Sequence, residues 1–126
     1  MTVSPLAIET NLGRGVWMIG AAFTFRVLIT SDGTSTGTAT NNTGWTYELV
    51  LRRSDGTLVT SWSGSSITYS SVNGTSDAVD VAILRADTLG LLPGTYNWAL
   101  WRTDNPNDRP AAYGTVYLTQ AAAQSS

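Results

Sequence analysis

Apolar and polar residues alternate with a period of two along much of this chain. Phe23, Phe25, Val27 and Ile29 interleave with Thr24, Arg26, Leu28 and Thr30, and Trp45, Tyr47, Leu49 and Leu51 with Thr46, Glu48, Val50 and Arg52. The same spacing runs through Val79, Val81 and Ile83, through Tyr96, Trp98 and Leu100, and through Tyr113, Thr115 and Tyr117. Successive side chains of a strand point to opposite faces, so this period predicts half-buried antiparallel strands. They are expected over about 21–30, 44–53, 57–63, 66–70, 76–84, 95–103 and 111–119.

The segments between these runs carry turn chemistry. Asp55-Gly56 and Asn73-Gly74 each fall between alternating runs and predict two tight hairpins. Leu92-Pro93-Gly94-Thr95 predicts a turn with Pro second and Gly third. From Arg85 to Leu91 the alternation breaks, and one helical turn is expected. Residues 31–43 form a polar loop whose one apolar member is Ala39, expected to be the most mobile internal segment. Short strands at roughly ten-residue spacing with turn signals between them indicate an all-β sandwich of about seven to eight antiparallel strands. The domain is expected over 13–119, followed by a tail at 120–126. Residues 1–12 read as an extended N-terminal arm with Val3, Pro5, Leu6 and Ile8 as apolar members and no evident partner strand. Pro5 confines that arm to an edge or an extended conformation.

Composition narrows the chemistry. The 126 residues suffice for one domain with its own core. Hydrophobic content is 42%, and charged content is 13%, about half the roughly 25% of an ordinary soluble domain. His, Cys and Lys are absent, so a serine nucleophile would have no customary base. Two-carboxylate chemistry is the enzymatic option left, but the nine acidic residues are scattered, and Glu48 and Asp80 fall mid-strand where they are expected to be solvated. Asp104, Asn105, Asn107 and Asp108 offer clustered oxygens to Ca²⁺, yet the same residue types build turns without metal. No cofactor and no catalysis are expected. A net charge of −2 with dispersed arginines argues against nucleic acid, and no apolar run reaches membrane-span or signal-peptide length, so secretion would need another route.

Five tryptophans, Trp17, Trp45, Trp62, Trp98 and Trp101, are the candidates for contact with a ligand or partner. Trp45 and Trp98 share faces with other apolar residues and are expected to point inward. Trp101 shares its face with Asn97 and Ala99, and Trp17 lies in a short lead-in run, Val16-Trp17-Met18-Ile19. These two are open to three readings: core or rim, a protein interface, or stacking on sugar rings as in a carbohydrate-binding module.

The order of motifs resembles a known family. Leu12-Gly13-Arg14-Gly15, Thr43-Gly44-Trp45, Asp55-Gly56-Thr57, Ala86-Asp87-Thr88, Leu91-Leu92-Pro93-Gly94-Thr95-Tyr96 and Tyr113-Gly114-Thr115-Val116 follow one another along residues 12–119. This is similar to the small immunoglobulin-like β-sandwich modules of tailed-phage virions, although the 31–43 loop is longer than their usual turn. The resemblance implies a structural virion protein that does no catalysis. Its expected place is the capsid, as a decoration (cement) protein on the major capsid protein lattice, in trimers or multiple copies. A tail or baseplate assembly module is the alternative. The contact residues expected on this reading are Val3, Pro5, Leu6 and Ile8 of the arm, with Trp17 and Trp101, and no contact with nucleic acid or membrane is expected.

Overall fold

The computed structural model describes residues 15–30, 38–105 and 110–120 in full and residues 8–10 by their backbone. Among the described residues, nine strands form two sheets. The first holds β1 (Ile8–Thr10), β3 (Phe23–Leu28), β7 (Ala78–Ile83) and β6 (Ile67–Ser70), in the order β1-β3-β7-β6. The second holds β2 (Val16–Met18), β9 (Ala112–Thr119), β8 (Gly94–Arg102), β4 (Tyr47–Arg53) and β5 (Leu58–Trp62), in the order β2-β9-β8-β4-β5. The first sheet has the A-B-E-D order of immunoglobulin domains, and β9-β8-β4-β5 has their G-F-C-C′ order. The fold is an immunoglobulin-like β-sandwich.

Alternation explains what lies between the sheets. Phe25, Val27, Val79, Val81 and Ile83 from one sheet meet Leu49, Leu51, Trp98, Leu100, Val116 and Leu118 from the other, all buried. Aromatic rings fill the middle edge to face. Trp17 meets Phe23, Phe25 and Trp62 at centroid distances of 5.3, 5.2 and 6.1 Å, and Phe25 meets Trp98 at 5.1 Å. Such tilted contacts set the positive ring edge against a negative ring face.

Three connections position the strands. Between β4 and β5, Gly56 N donates to Arg53 O and Arg53 N to Thr57 O, at 2.9 and 2.8 Å. Gly56 has φ +91°, so the expected Asp-Gly hairpin is the three-residue kind that ends in a left-handed glycine. Between β6 and β7 the expected tight Asn-Gly turn is replaced by a longer loop, residues 71–77, wrapped round the carboxylate of Asp77. That carboxylate accepts from Val72 N at 2.8 Å and from Asn73 Nδ2 at 3.0 Å. Between β7 and β8 the expected helical turn is α1 (Arg85–Thr88), and in place of the expected Leu-Pro-Gly-Thr turn the chain bends at Pro93 and enters β8 at Gly94, whose φ is +150°. There Tyr96 Oη donates to Leu92 O at 2.7 Å, the tyrosine corner of this fold class. Asp87 accepts from Leu84 N at 2.7 Å and from Trp62 Nε1 at 2.8 Å, which ties the connection to β5.

The structure departs from the sequence expectations at several points. The arm is not wholly without a partner, because Ile8–Thr10 is an antiparallel edge strand with Ile8 opposite Val27. One pairing is parallel: β2 lies beside β9 with Val16 opposite Tyr117. The chain thus changes sheets after Thr10, which periodicity cannot reveal in three-residue strands. Asp80 is buried rather than solvated. Arg26, beside it on the outer surface of the first sheet, donates from Nε and Nη2 at 2.7 and 3.1 Å, and Ser70 Oγ donates at 2.7 Å.

Candidate binding surface

The outward residues of the second sheet form its open face. Strand β4 contributes Glu48, Val50 and Arg52, β8 contributes Asn97, Ala99 and Trp101, and β9 contributes Tyr113, Thr115 and Tyr117. Register fixes their neighbours: Glu48 is opposite Trp101, Val50 opposite Ala99 and Arg52 opposite Asn97. Tyr113 stands opposite Ala99, and Thr115 opposite Asn97. Val50 and Ala99 are small, so their taller neighbours wall an open depression of about 390 Å³ lined by Glu48, Arg52, Asn97 and Trp101. Tyr113 is 60% exposed and Tyr117 48%, and Trp101 is half-buried. Large apolar surface left in water on a rigid sheet is where partners dock.

At one end of the same sheet a cation is already held. The Arg102 guanidinium lies 3.6 Å above the Trp45 ring, and its Nε and Nη2 donate to the Asp104 carboxylate at 3.0 and 2.9 Å. Arg102, with help from Thr46 N, pulls the Asp104 carboxyl down to about 2, with desolvation opposing it. Trp45 packs against the core as its alternation suggests, but only in part: it is half-buried, with Arg102 over its ring. Nearby, Tyr47 is buried and donates to Asn42 Oδ1 at 2.7 Å, and that burial raises its hydroxyl far above the ordinary range. A second apolar patch, at the opposite end of the sandwich, exposes Leu84, Leu89 and Leu92 around α1.

The residues singled out in the sequence separate in space. Trp101 stands on the open face, as its neighbours Asn97 and Ala99 suggest. Trp17 does not: it is fully buried, because β2 lies beside β9 with Trp17 opposite Leu118, and both point inward. Its indole nitrogen has no hydrogen-bond partner and is surrounded by rings. Trp17 and Trp101 cannot form one sugar-stacking platform. Ile8 belongs to an edge strand of the other sheet, while Val3, Pro5 and Leu6 lie outside the described residues, as do Asn107 and Asp108 of the proposed oxygen cluster.

Sequence reasoning missed the two tyrosines. Tyr113, Thr115 and Tyr117 alternate like a core set, but in β9 the buried set is Ala112, Val116 and Leu118, with Gly114 between them. The available signal was that the interleaved residues are aliphatic throughout, whereas the tyrosine set contains Thr115. Among the described carboxylates, Asp55, Asp77, Asp80, Asp87 and Asp104 each accept hydrogen bonds within the fold, while Glu48 faces the depression without one. Among the described residues no three acidic groups gather into a metal-binding cluster.

These features define an immunoglobulin-like sandwich with one uncovered aromatic sheet face. In comparisons with known proteins, the chain matches no family model and no curated sequence.

Proposed function

We propose that this protein is a non-catalytic assembly module whose work is done by surface contact, and within that class a virion structural protein that decorates a capsid. The observation that carries the contact reading is the open face of the second sheet. It exposes Tyr113, Tyr117 and Trp101 on rigid strands, while the described aspartates are committed to holding loops and strands together. The virion assignment rests on the succession of turn motifs, from Thr43-Gly44-Trp45 through Leu92-Pro93-Gly94-Thr95-Tyr96 to Tyr113-Gly114-Thr115. The low charge and the absence of Lys agree with a surface largely covered by partners. On this reading Val3, Pro5 and Leu6 grip the major capsid protein lattice, and each gripping side chain adds buried apolar area at about 25 cal/mol per Å².

The test uses shells assembled without the protein. The full chain is expected to saturate such shells in hundreds of copies, and a chain lacking residues 2–7, with β1 left intact, to lose at least about tenfold in occupancy if two or three apolar side chains are removed from the contact. Unchanged occupancy removes the arm as the anchor. Shells that never bind the protein, with a few dozen copies found in tails, would replace decoration by tail assembly. A carbohydrate-binding reading keeps one of its two proposed rings, Trp101, and would require oligosaccharide binding that Trp101→Ala abolishes.

A further inference from the structure

The open face has a symmetry in its charges. Across the strands, Ser61, Val50, Ala99 and Tyr113 occupy one register row, and it carries no charge. On one side of that row stand Glu48 and Trp101; on the other stand Arg52, Asn97 and Thr115. Glu48 and Arg52 are each two residues from Val50, about 7 Å along the strand. Opposite charges therefore flank a neutral row at equal distances.

We infer that this face pairs with the same face of a second copy, about a two-fold axis that lies in the interface and runs along the Val50–Ala99–Tyr113 row. That operation reverses the strand direction and keeps the row on itself. Val50, Ala99 and Tyr113 then each face their own counterpart across the axis, with Val50 and Ala99 on the floor of the depression. Glu48 of each copy meets Arg52 of the other, so the one charge contact forms twice. Rotation about the strand direction would instead leave Glu48 without a cation.

The chain itself shows what the Glu48 end is built to hold. The Arg102 cluster joins a guanidinium to a carboxylate at 2.9 Å and to an indole face at 3.6 Å. Glu48 beside Trp101 supplies the same carboxylate and indole without a guanidinium, and Arg52 is the matching group on the same face. Arg52 makes one exposed bond, from Nη1 to Gly56 O at 3.1 Å, and its second terminal nitrogen is left to reach across. The footprint is modest. Four strands 4.8 Å apart, each contributing about seven residues, cover roughly 450 Å² per copy, so the pair buries about 900 Å², in the range of weak, reversible contacts.

This pairing rests on reading the open face as a contact surface, not on the virion assignment. Sedimentation velocity of the full chain, from about 5 to 500 μM, should show a concentration-dependent dimer. Glu48→Arg and Arg52→Glu each place like charges together twice and should weaken it at least about tenfold. The double variant Glu48→Arg/Arg52→Glu restores both contacts in reverse and should recover dimerisation to within about threefold. Circular dichroism and thermal melts check that each variant is folded. A monomer at every concentration overturns the pairing, as does a dimer indifferent to the single swaps or one that the double swap fails to rescue. Shell binding by a strictly monomeric chain would defeat the pairing and leave the virion proposal standing; dimers that ignore shells would do the reverse.

Discussion

Gly114 lies directly opposite Trp98 across the β8–β9 pair, with the indole over it. A methyl group there would lie 3.0 Å from Trp98 Nε1 and 3.2 Å from Cε2 and Cζ2, inside ordinary contact distance. The indole is buried and packed edge to face against Phe25, so it has little room to give way. Gly114→Ala is expected to lower stability by about 1–3 kcal/mol through overpacking, read as a lower urea midpoint with an unchanged slope. Gly44→Ala serves as a contrast. Nothing lies within 4 Å of its added methyl group, so its cost comes from φ +81° alone. Equal losses in a variant that relieves Trp98, such as Gly114→Ala with Trp98→Phe, would show that crowding is not the cause.

At the scale of elements, two loops are fastened by ionised aspartates. Asp77 is buried, which alone would raise its carboxyl, but the N–H groups of Val72 and Asn73 and the Asn73 amide outweigh desolvation and hold it below 3.8. Asp104 is lowered to about 2, first by its hydrogen bonds from Arg102. A carboxyl whose folded pKa lies below its unfolded one stabilises the protein above the unfolded value, and that contribution disappears as pH falls through the folded value. Unfolding free energy should therefore be level from pH 7 to about 5 and drop between about pH 4 and 2. Asp77→Asn should begin about 1–3 kcal/mol lower and lose less on acidification, as checked by denaturation across pH. Equal acid slopes for both proteins would remove Asp77 from this role.

The same loops show how far the elements can be read from the chain. Long alternating runs such as Tyr47–Arg53 and Tyr96–Leu100 announce their strands because one face must be dry over several repeats. The break before Tyr96 is legible because Pro93 fixes its own φ, but the turn type expected there is not the one adopted, since Gly94 takes φ +150° as the first residue of β8. Strands β1 and β2 are too short for a period to register, so neither the switch between sheets nor the burial of Trp17 is visible before the fold is known. The candidate surface is only half legible. Trp101 betrays itself by polar neighbours on its own strand. Tyr113 and Tyr117 become outward residues only when Gly114 makes room for Trp98 on the other side of β9, a contact between residues distant in sequence.

The whole molecule is closed by the pairing of its first described strand in the second sheet with its last. Val16 lies opposite Tyr117, and flanking bonds run from Tyr117 N to Gly15 O at 2.7 Å and from Ile19 N to Thr119 O at 2.8 Å. Because these strands run the same way, tension applied before β2 and after β9 slides one past the other, and every bond between them is loaded together. Hairpins such as β4–β5 would unzip rung by rung under the same pull. Stretched between residues 15 and 120, a single molecule should resist as one abrupt rupture, and at higher force than when pulled from residues 47 and 62, the open end of the β4–β5 hairpin. Whatever this sandwich is fastened to, its ends are joined in the geometry that bears tension best.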